Sequence, residues 1–155
     1  ILGNQKAGTK VIAKLIARHS NSSLIMNPIE IRHQIEKNNE LNLPKLKKRY
    51  PHIFINKILK DNDLILYFDE LFDFYPNSQY VYITRHPLDN IRSILDRLNI
   101  PPEKLPISLD ELKNYNINKA WYDIATGKNI PTPKNEKIPQ VLAYRWKYIS
   151  QIPPF

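Results

Sequence analysis

Gly3-Asn4-Gln5-Lys6-Ala7-Gly8-Thr9-Lys10 gathers two glycines, two lysines and a hydroxyl into one short stretch. These residue types suit an anion. Glycine lets a backbone turn sharply or approach a ligand closely, and the chain holds only 3 glycines in all. Where a strand enters such a stretch and a helix leaves it, the first helical N–H groups lack internal partners. The helix dipole adds about half a positive charge at the same point. Lys6 would bring its ammonium there too. A plain strand-to-helix turn is the simpler account, but it has no need of Gly, Lys, Gly and Thr together.

The flanking pattern supplies both elements. Ile1-Leu2 reads as a buried strand, and Val11, Ile12, Leu15 and Ile16 recur at helical spacing over residues 11–19. Residues 23–26 and 52–56 are short strand candidates. Asn27-Pro28-Ile29-Glu30 reads as a helix start, with Asn as cap and Pro in the first turn. Leu64, Tyr67, Phe68, Leu71, Phe72 and Tyr75 predict a helix over 63–75. A β-branched and aromatic strand follows at 79–84, then a helix from Pro87 to about residue 98. Strands alternating with helices predict an α/β fold, a three-layer sandwich whose central parallel sheet is covered on both faces. Ser108-Leu109-Asp110-Glu111 is a capping box. Residues 115–133 read as irregular, a lid or substrate-facing segment, and 140–151 as helix.

A nucleotide triphosphatase or kinase is the first rival for the glycine loop. Its Walker A sequence puts lysine directly after the second glycine and a magnesium-binding hydroxyl next. Here the order is Gly8-Thr9-Lys10, and the lysine placed to reach phosphates is Lys6. Leu64-Ile65-Leu66-Tyr67-Phe68-Asp69-Glu70 imitates a Walker B strand, but the helical repeat runs on through Leu71, Phe72 and Tyr75. Asp69 and Glu70 then lie on a solvated helix face.

Lys6-Ala7-Gly8-Thr9 resembles the 5′-phosphosulfate loop of sulfotransferases, K-[ST]-G-T-T, with Ala7 at the small position. A second match lies downstream. Arg85-His86-Pro87-Leu88-Asp89-Asn90-Ile91-Arg92-Ser93, at the end of a strand and the start of a helix, is similar to that family's 3′-phosphate motif, R-D-P-R-D-x-x-x-S. His86 and Leu88 depart from it. Read alone, Arg85 is a surface ion-pair partner for Asp89 and Ser93 a small helix residue; the two motifs in this order favour the phosphate role. Arginine offers phosphate a planar fork of donors, and ligands of open α/β sheets gather outside the carboxyl ends of the strands.

The resemblance implies a P-loop NTPase-like topology in a single domain, residues 1–155. It also implies 3′-phosphoadenosine-5′-phosphosulfate as donor, with 3′,5′-adenosine bisphosphate as product and no metal. Lys6 would stabilise the leaving phosphate oxygen, while Ala7, Gly8, Thr9 and Lys10 hold the 5′-phosphate and Arg85 and Ser93 the 3′-phosphate. Lys57 is matched to the lysine of the family's K-T-H segment, where the histidine would be Leu59. The acceptor is a small molecule or a glycan, and its proton needs a base. Glu30 fits the position used by glycan- and protein-directed members, and equally fits a helix-capping role. His33 and His52 are further candidates. Trp121, Tyr122 and Tyr115 either line the acceptor pocket or pack. Both chain ends read as cut, and the family's late segment that closes over the donor is absent.

Composition bounds the rest. A net charge of +8 suits an anionic ligand and raises nucleic acid as a partner, but no recognised nucleic-acid motif accompanies it, so none is expected. The densest basic run, Lys45, Lys47, Lys48 and Arg49, reads as a solvated face. With Cys 0 there are no disulfides or thiolate metal sites, which fits a cytoplasmic protein. No apolar run reaches the roughly 18 residues of a membrane span.

Overall fold

The computed structural model describes residues 1–38, 40–128, 130–133 and 136–152. The chain is α/β and divides into two compact units, Ile1–Thr84 and Arg85–Gln151.

In the first unit, β1 (Leu2–Gly3) runs into the glycine loop, and α1 (Thr9–His19) leaves it. Ala13 and Thr9 are the buried positions of α1. β2 (Leu24–Met26) is followed by α2 (Ile29–Asn38), α3 (Leu43–Arg49) and α4 (Pro51–Phe54). β3 (Ile58–Lys60) then precedes a 3-10 helix, Asp63–Tyr67, which continues into α5 (Phe68–Phe74), and β4 (Tyr82–Ile83) closes the unit. All pairing is parallel. Leu2 and Gly3 face Tyr82 and Ile83, while Leu24, Ile25 and Met26 face Ile58, Leu59 and Lys60. Ile1 N donates to Leu59 O at 2.7 Å, linking the two strand pairs.

Two expectations change here. Residues 52–56 are not a strand: Pro51 opens α4, its fixed φ suiting the first helical position. Ile53 turns into the core, and Asn56 Nδ2 donates back to His52 O. The strand lies further on, at Ile58–Lys60, where β2 supplies a partner. The helix predicted over 63–75 is helical but broken. Tyr67, at φ −125 and ψ 37, separates its 3-10 turn from α5. Leu64, Ile65, Phe68 and Leu71 are nevertheless buried, and Asp69 and Glu70 are solvated.

The second unit is helical. α6 (Pro87–Arg97) starts on Pro87 in its first turn, as the spacing predicts. α7 (Leu109–Leu112) carries the predicted capping box, with both Ser108 and Glu111 bonds in place. α8 (Lys119–Ala125) and α9 (Ile138–Gln151) complete it. Ile94, Leu98, Leu112, Ile124, Ile138 and Leu142 are among its core residues. The stretch 115–133 is therefore not a wholly irregular lid. Asn118 caps α8 by accepting from Trp121 N, and Trp121, Tyr122 and Tyr115 pack against that core.

Candidate functional site: the glycine loop and the charged end of β3

Three backbone decisions build the loop. Gly3 sits at φ 144, and a Cβ there would meet Ile83 O at 2.3 Å, so β1 and β4 approach only because position 3 has no side chain. Lys6 adopts φ 65, a left-handed conformation that costs a non-glycine residue about 1 kcal/mol or more. Gly8, at φ 99 and ψ 3, caps α1 without any side-chain hydrogen bond, and Gly8 O receives Val11 N and Ile12 N. An added Cβ at Gly8 would meet nothing within 4 Å, so glycine serves φ there, not space. The first turn of α1 contains no acidic residue. Its leading amides have no intrahelical acceptor and carry the positive end of the dipole.

The side chains sort by burial. Lys6, Gly8 and Lys10 are exposed, while Asn4, Gln5, Ala7 and Thr9 are buried. The loop thus offers backbone amides and ammonium groups outward. The Thr9 hydroxyl donates to Asn62 Oδ1 at 3.0 Å.

That contact leads to a charged cluster missed in the sequence. Lys60 closes β3, and Asp61, Asn62 and Asp63 follow it without a break. Gln5 Nε2 donates to Asp63 Oδ1 at 3.3 Å, and Arg32 meets Asp63 Oδ2 at 3.4 Å. Lys60, only 3% exposed, donates from Nζ to Asn27 Oδ1 at 2.8 Å, and burial lowers its pKa. Asp61, also 3% exposed, accepts from Asp63 N at 2.8 Å. Burial, then repulsion from Asp63, pushes the Asp61 carboxyl up to about 7, against the pull of the Asp63 amide and Lys60. The carboxyl ends of β1, β2 and β3 therefore converge on one polar patch behind the loop. The available signal was the abrupt change from Ile58-Leu59 to four polar residues, masked by placing the strand too early.

Other predicted residues fall as follows. Lys57 precedes β3 and stands roughly 10 Å of strand away from Lys60. Its N–H donates to Ser23 Oγ, so it belongs to the opening end of the strand and not to the loop. Glu30 lies in the first turn of α2, with Oε1 3.5 Å from His52 Nε2, which brings two of the base candidates together. Asn27 spends its side chain on Lys60. His33 is exposed on α2.

Arg85 and Ser93 belong to the second unit. Arg85 is exposed and its carbonyl receives Trp146 Nε1 at 2.9 Å; Ser93 is half-buried on α6. Trp121 lies under the Arg97 guanidinium at 5.6 Å and, with Tyr122, serves packing. Among the described residues no group of three His, Cys, Asp or Glu side chains is arranged to hold a metal ion, and no helix is long and apolar enough to cross a membrane. No protein family, curated protein or solved structure matches this chain.

Proposed function

We propose that this chain is a sulfotransferase. In this reading it binds 3′-phosphoadenosine-5′-phosphosulfate at the loop around Lys6 and transfers the sulfuryl group to a hydroxyl or amine acceptor, such as a glycan. The posture of the loop lysine carries the reading. Lys6 precedes Gly8, is exposed and takes positive φ. The position after Gly8, where a Walker loop needs its lysine, holds a buried Thr9 tied to Asn62. Arg85 and Ser93 add the sequence of a 3′-phosphate site. The P-loop-like part draws support from two parallel strand pairs, β1-β4 and β2-β3, with one bond from Ile1 N to Leu59 O between them.

The chemistry is in-line displacement at sulfur. The acceptor oxygen or nitrogen forms the new bond while the bond from sulfur to the 5′-phosphate oxygen breaks, leaving 3′,5′-adenosine bisphosphate. Lys6 and the amides of Gly8, Thr9 and Lys10 neutralise the charge gathering on that oxygen. The acceptor proton passes to Glu30, whose Oε1 lies 3.5 Å from His52 Nε2.

One observation favours a second reading, a magnesium-dependent nucleotide kinase: Asp61 and Asp63 follow β3 next to Thr9, where such enzymes keep a metal-binding acid. Calorimetric titration separates the two. The sulfotransferase reading expects tight binding of 3′,5′-adenosine bisphosphate without metal, weakened ten- to hundred-fold by Lys6→Ala, from about 1.5–3 kcal/mol per charged hydrogen bond. Nucleotide binding that demands magnesium and ignores the 3′-phosphate would overturn it.

A further inference from the structure

α1 packs on β2 and β3, and the fully buried Ala13 marks the side that faces them. Val11 and Leu15 stand two residues to either side of Ala13. At about 100° per residue, both point roughly 160° away from it, outward. Their exposure agrees: 61% for Val11 and 57% for Leu15. A single exposed apolar residue needs no explanation. These two, however, are neighbours on one helix face, four residues apart.

Their surroundings are cationic. Lys6, Lys10, Lys14 and Arg18 recur at every fourth position, and residues 1–29 contain no Asp or Glu. On α1, Lys14 lies three residues from Val11, and Arg18 three from Leu15. Residues so spaced meet on a helix surface, so the four side chains form one patch. Lys10 extends it toward the glycine loop. Lys10, Lys14 and Arg18 are exposed, and none of them forms an ion pair among the described residues.

An occupant must take two branched aliphatic side chains and several positive charges from a convex helix, which offers no groove. Nucleic-acid phosphates would satisfy the charges and leave Val11 and Leu15 in water. A folded acidic protein would need a concave surface that pairs both. An anionic bilayer needs no such shape. Its headgroups carry the counter-charge, and its acyl boundary lies within the roughly 5–10 Å that apolar helix faces reach into it.

We propose that the outer face of α1, formed by Val11, Lys14, Leu15 and Arg18, docks on an anionic phospholipid surface, with the helix lying along it and not across it. Two aliphatic side chains or a few cations are each too weak alone, so attachment needs both and is reversed by salt. The proposal is independent of the sulfotransferase reading, since none of these four residues belongs to the loop from Gly3 to Lys10.

Vesicle flotation of the full chain tests it. The protein should float with phosphatidylcholine vesicles containing about one third phosphatidylglycerol, stay behind with pure phosphatidylcholine, and detach in about 0.5 M NaCl. Lys14→Glu with Arg18→Glu, and separately Val11→Ser with Leu15→Ser, should each weaken partition at least about tenfold at an unchanged urea midpoint. With Cys 0 in the chain, one fluorophore can be placed at will. An NBD probe on Val11→Cys should shift to the blue on the anionic vesicles, and the same probe on Lys48→Cys in α3 should not. Absence of flotation, equal flotation with pure phosphatidylcholine, or wild-type flotation of either double variant overturns the proposal. So does a blue shift at position 48 in place of position 11. An equal shift of the position-11 probe with soluble poly-glutamate also overturns it, because the face then belongs to an acidic protein.

Discussion

Replacing Asp61 by Asn probes the charged end of β3 directly. Asp61 is buried, and its carboxyl is pushed from the ordinary 3.8 up to about 7, chiefly by burial and then by Asp63. Between those two values the folded chain holds a proton that the unfolded chain releases. The stabilising contribution of that proton is complete below pH 3.8, falls as pH rises through the window and is gone above about 7. Each pH unit corresponds to about 1.4 kcal/mol, so the stretch from pH 5 to 7 amounts to roughly 3 kcal/mol. Asn at position 61 keeps an oxygen for the Asp63 amide but never ionises. It also removes one of the two carboxylates, Asp61 and Asp63, that act on the buried Lys60, an offset that cancels when one variant is compared across pH. In urea unfolding at pH 5 and pH 8, wild type should therefore lose roughly 3 kcal/mol relative to Asp61→Asn. A gap between the two proteins that stays constant across pH, within the error of the extrapolation, refutes the buried-carboxylate argument.

Gly3→Ala forces a Cβ to within 2.3 Å of Ile83 O at φ 144, and should cost about 3 kcal/mol or more by urea unfolding. Arg85→Ala should weaken 3′,5′-adenosine bisphosphate about ten- to hundred-fold by calorimetry while sparing adenosine 5′-phosphate; equal losses would exclude a 3′-phosphate role. Glu30→Gln should lower sulfuryl transfer by about 10²-fold or more at unchanged donor affinity, and wild-type turnover would remove Glu30 as base. Trp121→Ala should lower stability by about 3 kcal/mol by urea unfolding, because the ring packs against the core of the second unit.

The parts of this chain legible in sequence are those where one local rule dominates. α1 and α6 are long enough to display their apolar spacing, and the Ser108 capping box is a four-residue signature with both bonds formed. The glycine loop stood out because its φ values, 144 at Gly3 and 99 at Gly8, are ones few other residues tolerate. The strands were harder, because two or three residues cannot display an alternating pattern. β3 was displaced onto residues that Pro51 turns into helix, and with it went Lys60 and Asp61, whose burial only the convergence of three strand ends explains. α8 was missed because Gly127 and two prolines nearby outweighed the Asn118 cap in a one-dimensional reading. Thr9 illustrates the opposite case: its place beside Gly8 was plain, but the direction of its hydroxyl, toward Asn62, was set by a segment more than fifty positions away.

Lys6 at φ 65 has a consequence for how this protein tolerates change. The backbone at position 6 favours glycine or asparagine, while an anion in the loop favours a long cation, so folding and binding select different residues at one codon. A library of position-6 variants sorted for thermal resistance alone should enrich Gly and Asn, and the same library sorted for nucleotide capture should return Lys. The loop is thus a place where improving the protein as an object would erase it as a receptor.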